Sequence, residues 1–146
     1  MRFFADRHIS IYIVKMLAAY SEREHEVRHL DQDERFEKTT GDEVWLRILG
    51  ADQPPWTVLS ADLAILDRPP ERRALEEANL TFFGFDRRWL KMAFHEQAWR
   101  LIKAWPAIVE KAESRAGRPT IFKIHWGSSL EIEELGHTRP GGRRKS

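Results

Sequence analysis

The chain contains no cysteine, which excludes disulfides, thiolate metal sites and a cysteine nucleophile, and fits a reducing compartment. No apolar stretch approaches the roughly 20 residues that a helix needs to cross a bilayer. Arg2, Asp6 and Arg7 interrupt the only apolar run near the start, so no secretory signal is expected. The protein is read as soluble and cytoplasmic, with no membrane partner. There is no Gly-x-x-x-x-Gly-Lys segment for a P-loop and no Ser-His-Asp order for acyl transfer. An excess of one charge sign is missing too, because Lys and Arg number 24 against 23 Asp and Glu. Four of the basic residues, Arg139, Arg143, Arg144 and Lys145, fall in the last eleven positions, leaving a body with 20 bases and 23 acids. A protein that coats duplex presents a basic face. Any nucleic-acid role here must rest on a local site, with metal ions offsetting the carboxylates.

What is present suits one domain with a substantial core: 146 residues, 42% of them hydrophobic, including eight Phe and six Trp. Phe3-Phe4 opens a short strand that ends at Asp6, and Ser10 is placed to cap a helix to about Arg23. His25–Leu30 reads as a second strand. In a strand, His25 and His29 do not converge on a metal as an i, i+4 helical pair would, so a zinc site is not expected. Thr40-Gly41-Asp42-Glu43 matches a capping box for a helix ending at Leu49, with Gly50 as its stop. Trp56–Ser60 is a strand of the doubly covered parallel kind, followed at once by Asp62. Pro70 starts a helix over about Glu71–Asn79, and Leu80–Phe85 is a further buried strand. Residues 86–116 read as a long helical region that Pro106 kinks or divides, with Phe94, Trp99 and Trp105 assigned to the core. Pro119–Trp126 and Ser129–Glu133 form a hairpin around Gly127-Ser128. The expected architecture is α/β, a three-layer α/β/α sandwich around a mostly parallel sheet, with a C-terminal hairpin. The domain is expected over residues 1–135, and residues 136–146 form a basic tail expected to be disordered.

Two strands that end in Asp and are joined through helices are expected to be parallel, with their tips facing the same way. Asp6, Asp42 and Asp62 would then share one end of the sheet. Two unit charges ~4 Å apart repel by roughly 4 kcal/mol at an effective dielectric near 20, so such a cluster invites a cation. With oxygen ligands only, the expected cation is Mg²⁺ or Mn²⁺, and the matching chemistry is phosphodiester hydrolysis.

FFADRHIS, then TGDEVWL (Thr40–Leu46), then TVLSAD (Thr57–Asp62) together resemble the PIN-like nucleases, in particular a small subfamily related to VapC-type toxins. PERRALEEANLTFFGF and the closing hairpin extend the resemblance over most of Met1 to about Glu134. It implies a Mg²⁺- or Mn²⁺-dependent ribonuclease, the toxin half of a toxin–antitoxin pair, acting on RNA, held by a cognate antitoxin and compatible with a homodimer. The family roles of catalytic and metal-ligand carboxylates fall on Asp6, Asp42 and Asp62. There are departures from the pattern. His8 stands where relatives commonly have Asn, and Leu63-Ala64 follows Asp62 where many have another acid. Asp67 is a candidate fourth carboxylate and Glu43 the alternative to Asp42. Ser60 is a candidate phosphate contact, and Arg68, Arg72 and Arg73 are candidates for RNA phosphates or a solvated helix face. The competing function is a non-catalytic interaction module on the same fold. A dehalogenase-like phosphatase would need Asp-x-Asp where this chain has Asp6-Arg7-His8, and a receiver domain would need more acids before the first-strand tip.

Overall fold

Runs of aromatic and β-branched residues too short for a helix form the strands, and the alternation of their side chains sets the layers. The structure is a computed structural model and describes residues 1–22, 24–115 and 118–137. In chain order the elements are β1 (Arg2–Ala5), α1 (Ile11–Ser21), β2 (Glu26–His29), α2 (Asp42–Gly50), β3 (Trp56–Ser60), α3 (Pro69–Ala78), β4 (Thr81–Phe85), α4 (Arg88–Lys91), α5 (Phe94–Ser114), β5 (Thr120–His125) and β6 (Glu131–His137). One-turn 3₁₀ segments lie at Leu30–Gln32 and Leu63–Leu66. The sheet order is β2-β1-β3-β4-β5-β6, parallel throughout except for β6, which pairs antiparallel to β5. This is the expected three-layer α/β/α sandwich with its closing hairpin.

Adjacent strand residues feed opposite faces. Phe3, Leu59, Phe83 and Phe122 pack with α1 and α5, through Ile13, Leu17, Leu101 and Ile108. Phe4, Val58, Phe82 and Ile121 pack with α2 and α3, through Trp45, Leu49 and Leu75. Because both faces are covered, β3 and β4 are buried along their whole length.

Local signals were met in part. Ser10 caps α1 by accepting a hydrogen bond from the Tyr12 N–H. The capping box at Thr40 does not form: the Thr40 hydroxyl accepts from the Glu37 N–H at 2.8 Å, and Gly41 is the N-cap without a side-chain bond. Gly50 is the last residue of α2 rather than a left-handed stop. Its role is close approach, because a Cβ there would lie 2.7 Å from Cβ of Ala78 on α3. Pro106 sits inside an unbroken α5. The break falls earlier, where Met92 turns extended between α4 and α5. Phe94 and Trp99, assigned to the core from their spacing, are half exposed, whereas Trp105 is buried.

Gly136 and His137, expected at the start of the tail, pair with Ile121 and Thr120 in the sheet. Residues 138–146, the rest of the expected basic tail, lie outside the described residues. Among the described residues no helix is long and apolar enough to cross a membrane.

Candidate functional site

With strand order 2-1-3-4-5-6, the chain winds one way from β1 to β2 and the other way from β3 onward, and the crevice beyond the C-terminal ends of the parallel β1 and β3 is where open α/β sheets take ligands. Both strands deliver an aspartate there. Asp6 extends the ladder one residue past β1, its N–H donating to the Leu59 carbonyl at 3.0 Å. Its carboxylate is buried and held from three sides. The His8 N–H donates to Oδ1 at 3.1 Å, the Ser60 hydroxyl donates to Oδ2, and the His8 ring approaches Oδ2 at 3.6 Å. The fully buried Ser60 accepts in turn from the Asp62 N–H at 3.0 Å, coupling the two strand tips through one hydroxyl. Ser60 is therefore committed to the aspartates on both sides of it.

Asp62 caps the 3₁₀ turn, with Oδ1 accepting from the Ala64 N–H at 3.1 Å. Asp42 lies in the first turn of α2, where the helix dipole favours a carboxylate, and its Oδ1 accepts from the Trp45 indole at 2.9 Å. The free Oδ2 atoms of Asp42 and Asp62 face each other across Arg68. A single Arg68 nitrogen, Nη2, donates to Asp62 at 2.8 Å and to Asp42 at 3.3 Å, while Nε donates to Glu71 at 2.6 Å. The three predicted aspartates thus share one edge of the sheet. Among the described residues no group of three His, Asp or Glu is set to hold a metal as the side chains stand. A cationic nitrogen between two of the carboxylates is what the geometry provides.

The electrostatics follow from this crowding. Burial, reinforced by the charges of Asp6 and Asp62, pushes the Asp42 carboxyl above the ordinary range, against the opposing Trp45 hydrogen bond and Arg68 charge. The hydrogen bond to Asp6 raises His8, with Asp62 and Asp42 adding to it, so the imidazolium is favoured over a wider pH range.

The other candidates lie apart from this cluster. Glu43 is paired with Arg47 one turn along α2, at 3.8 Å. Asp67 is exposed just after the 3₁₀ turn. Arg72 pairs with Glu76, and Arg73 is exposed on α3. Sequence reasoning missed two features. The first is the bridging role of Arg68, whose only local signal is its place directly before Pro69-Pro70, where the start of α3 is set. The second is Asp86, which follows β4 as Asp6 follows β1 and so repeats the strand-then-Asp pattern at the same edge. Asp86 is clamped by Arg88, with Nη2 to Oδ2 at 2.7 Å, and its carboxyl is held well below the usual carboxylate range.

Residues 1–87 match the family model described as PIN like domain. The chain belongs to the PIN-like domain family. The matched span covers β1 to β4 with α1 to α3, and so contains Asp6, Asp42, Asp62 and Arg68. Comparisons with curated proteins and with solved structures gave no match. PIN-like domains have a nuclease-type fold, and the acidic crevice at the β1/β3 tips lies where such a fold takes its ligand. In this PIN-like domain α4, α5, β5 and β6 fall outside the matched span.

Proposed function

We propose that this PIN-like domain is a metal-dependent endoribonuclease, the toxin of a toxin–antitoxin pair related to the VapC type, working on RNA in the cytoplasm and checked by a cognate antitoxin. The observation that carries the reading is the cation position between Asp42 and Asp62. The donor set there is all oxygen, already accommodates a positive nitrogen, and suits Mg²⁺ or Mn²⁺, which bind through one or two carboxylates and keep several waters. Asp42 and Asp62 would hold the ion, with Asp6 beside them as the third carboxylate. When bound, the ion would supply an activated water and charge neutralisation at a phosphodiester.

The chain's own side chains prepare the site. Ser60 and the His8 N–H fix the Asp6 carboxylate, and Ser60 also positions the turn that carries Asp62. The His8 ring, 3.6 Å from Asp6, would partly neutralise it when protonated. Arg68, about two-fifths exposed and tethered to Glu71, can swing off the carboxylates onto a phosphate oxygen, for which its planar fork is suited.

The test is cleavage of single-stranded RNA by the purified chain with Mg²⁺ or Mn²⁺, repeated in EDTA and with Asp6→Asn and Asp62→Asn. Metal-dependent cleavage lost in both folded variants is the expected result. Cleavage that persists in the double variant overturns the proposal.

The second reading, a non-catalytic interaction module, is favoured by one specific feature: Arg68 and Arg88 already neutralise acids at this edge. Thermal melting separates the two, because an ion specific to the native state raises Tm. No shift at millimolar Mg²⁺ or Mn²⁺ supports the interaction module.

A further inference from the structure

One cluster on the same sheet edge is not used by the acidic site. β5 ends at His125, and Trp126 follows it directly. Facing them, the second turn of α5 presents Trp99 and Arg100, with Lys103 one turn further on. The Arg100 guanidinium lies between the two indoles, 5.0 Å from the Trp99 ring centre and 4.4 Å from that of Trp126. It donates from Nη1 to the Gly127 carbonyl, and its Nε, buried without a hydrogen bond, is ion-paired with Glu96 at 3.8 Å. Lys103 reaches 5.8 Å from the outer indole of Trp99. Trp89 braces Trp126 edge-on at 4.8 Å and is anchored by its own N–H to the Ile124 carbonyl at 3.2 Å. These residues frame a shallow cleft of about 50 Å³ that opens to solvent.

The composition of this cleft is selective. Its lining contains Arg100, Lys103 and His125 and no carboxylate, although just outside it Arg100 is ion-paired with Glu96 and His125 bonds Glu133 at 2.8 Å. Trp99 is 47% exposed, with its indole N–H already satisfied by Glu96 at 2.8 Å, so what it offers is a ring face. A half-exposed Trp layered with an arginine is not explained by the core, which Trp105 on the same helix joins fully. The cleft lies one wall away from the surroundings of the acidic crevice. Trp89 is a shared wall between it and a recess lined by His8, Ala61, Phe85 and Leu90, and His8 touches Asp6.

We infer that the Trp99–Arg100–Trp126 cleft is a stacking subsite for a base of single-stranded RNA, with Lys103 taking an adjacent phosphate. This rests on the ribonuclease reading for the identity of the strand. Aromatic faces interleaved with cations are what an unpaired base and its backbone require, since every base has a π-face and every linkage a negative charge. Arg100 then acts as a second stacking plane.

The experiment is fluorescence anisotropy of a labelled single-stranded oligoribonucleotide with the full chain in EDTA, where metal-dependent cleavage is off. A second probe of the same length carries abasic sites. The expected result is affinity for the intact strand that falls roughly 5- to 100-fold in Trp99→Ala and in the abasic probe, and is retained in Trp99→Phe. Lys103→Gln is expected to weaken binding and flatten its salt dependence by about one phosphate contact. Equal affinity of the wild-type chain for intact and abasic strands overturns the inference without any variant. So does an unchanged affinity in a folded Trp99→Ala. Absence of RNA binding, with Trp99-dependent self-association or capture of a protein instead, also overturns it. These outcomes are separable from the cleavage assay: loss of cleavage in Asp6→Asn with Trp99-dependent binding intact leaves the subsite standing, and the reverse leaves the nuclease standing without it.

Discussion

Replacing Arg68 with methionine removes the guanidinium that bridges Asp42 and Asp62, while keeping most of the aliphatic stem. Both acceptor oxygens bond the same nitrogen, at 3.3 and 2.8 Å, so they are at most about 6 Å apart. Two charges at that separation repel by roughly 3 kcal/mol at an effective dielectric near 20. Arg68 is 43% exposed and the carboxylates 28% and 18%, so solvent screening reduces the loss to about 1–2 kcal/mol. In EDTA at pH 7, R68M is expected to melt roughly 2–8 °C below the wild type by calorimetry. The deficit has a defined pH dependence. The Asp42 carboxyl is already raised, and losing Arg68 raises it further, so the penalty is full above that raised value and fades as acid protonates the group. A divalent ion should reverse the order. With no internal competitor to displace, Mn²⁺ is expected to bind R68M about 5- to 30-fold more tightly by titration calorimetry, the same 1–2 kcal/mol read as affinity. Equal stability in EDTA together with unchanged or weaker Mn²⁺ binding would refute the account of Arg68 as an occupant of the cation position.

Three other outcomes follow from the geometry. In Asp6→Asn the His8 ring should titrate closer to the ordinary histidine value by NMR, because the hydrogen bond to Asp6 is the largest cause of its upward shift; the stability that His8⁺ contributes in the wild type is present below ~6.5 and lost as pH rises through the raised value. Gly84→Ala should cost about 1–3 kcal/mol in urea unfolding and weaken Mn²⁺ binding, since its Cβ would fall 2.2 Å from Leu63 Cδ2 and push on the residue next to Asp62. Asp33→Asn should cost about 2–3 kcal/mol at neutral pH, because Asp33 accepts from Arg28 and Arg35; the Arg35 bonds hold its carboxyl down at about 2, so the difference from wild type should vanish as pH falls from ~4 toward 2.

Much of the fold was legible because burial leaves a linear trace. Phe3-Phe4, Trp56–Ser60 and Leu80–Phe85 are too short and too uniformly apolar for amphipathic helices, and the helical stretches between them require parallel pairing. From that pairing came the shared edge of Asp6 and Asp62, and the first turn of α2 added Asp42. Where reading failed, a competing local contact decided. Thr40 had the right spacing for a capping box, but its hydroxyl is taken by the Glu37 N–H. Pro106 is tolerated inside α5, and the chain breaks instead at Met92, where no strong breaker stands. Trp99, assigned to the core together with Trp105, is half exposed, whereas the buried Trp105 faces α1, through Ser21.

The sequence by itself determined the alternation of layers, the direction of the strands and which carboxylates end them, because these depend on hydrophobic period and chain order alone. Only the tertiary structure decided which charge answers which. Arg68 lies six residues from Asp62 and 26 from Asp42, and its place before Pro69-Pro70 marks a helix start without naming either partner. Its choice of partners depends on how the start of α3, which Arg68 precedes, is held against α2, where Gly50 lets Ala78 approach. Side-chain electrostatics act through space over a few ångströms, and those few ångströms exist only once the layers have closed.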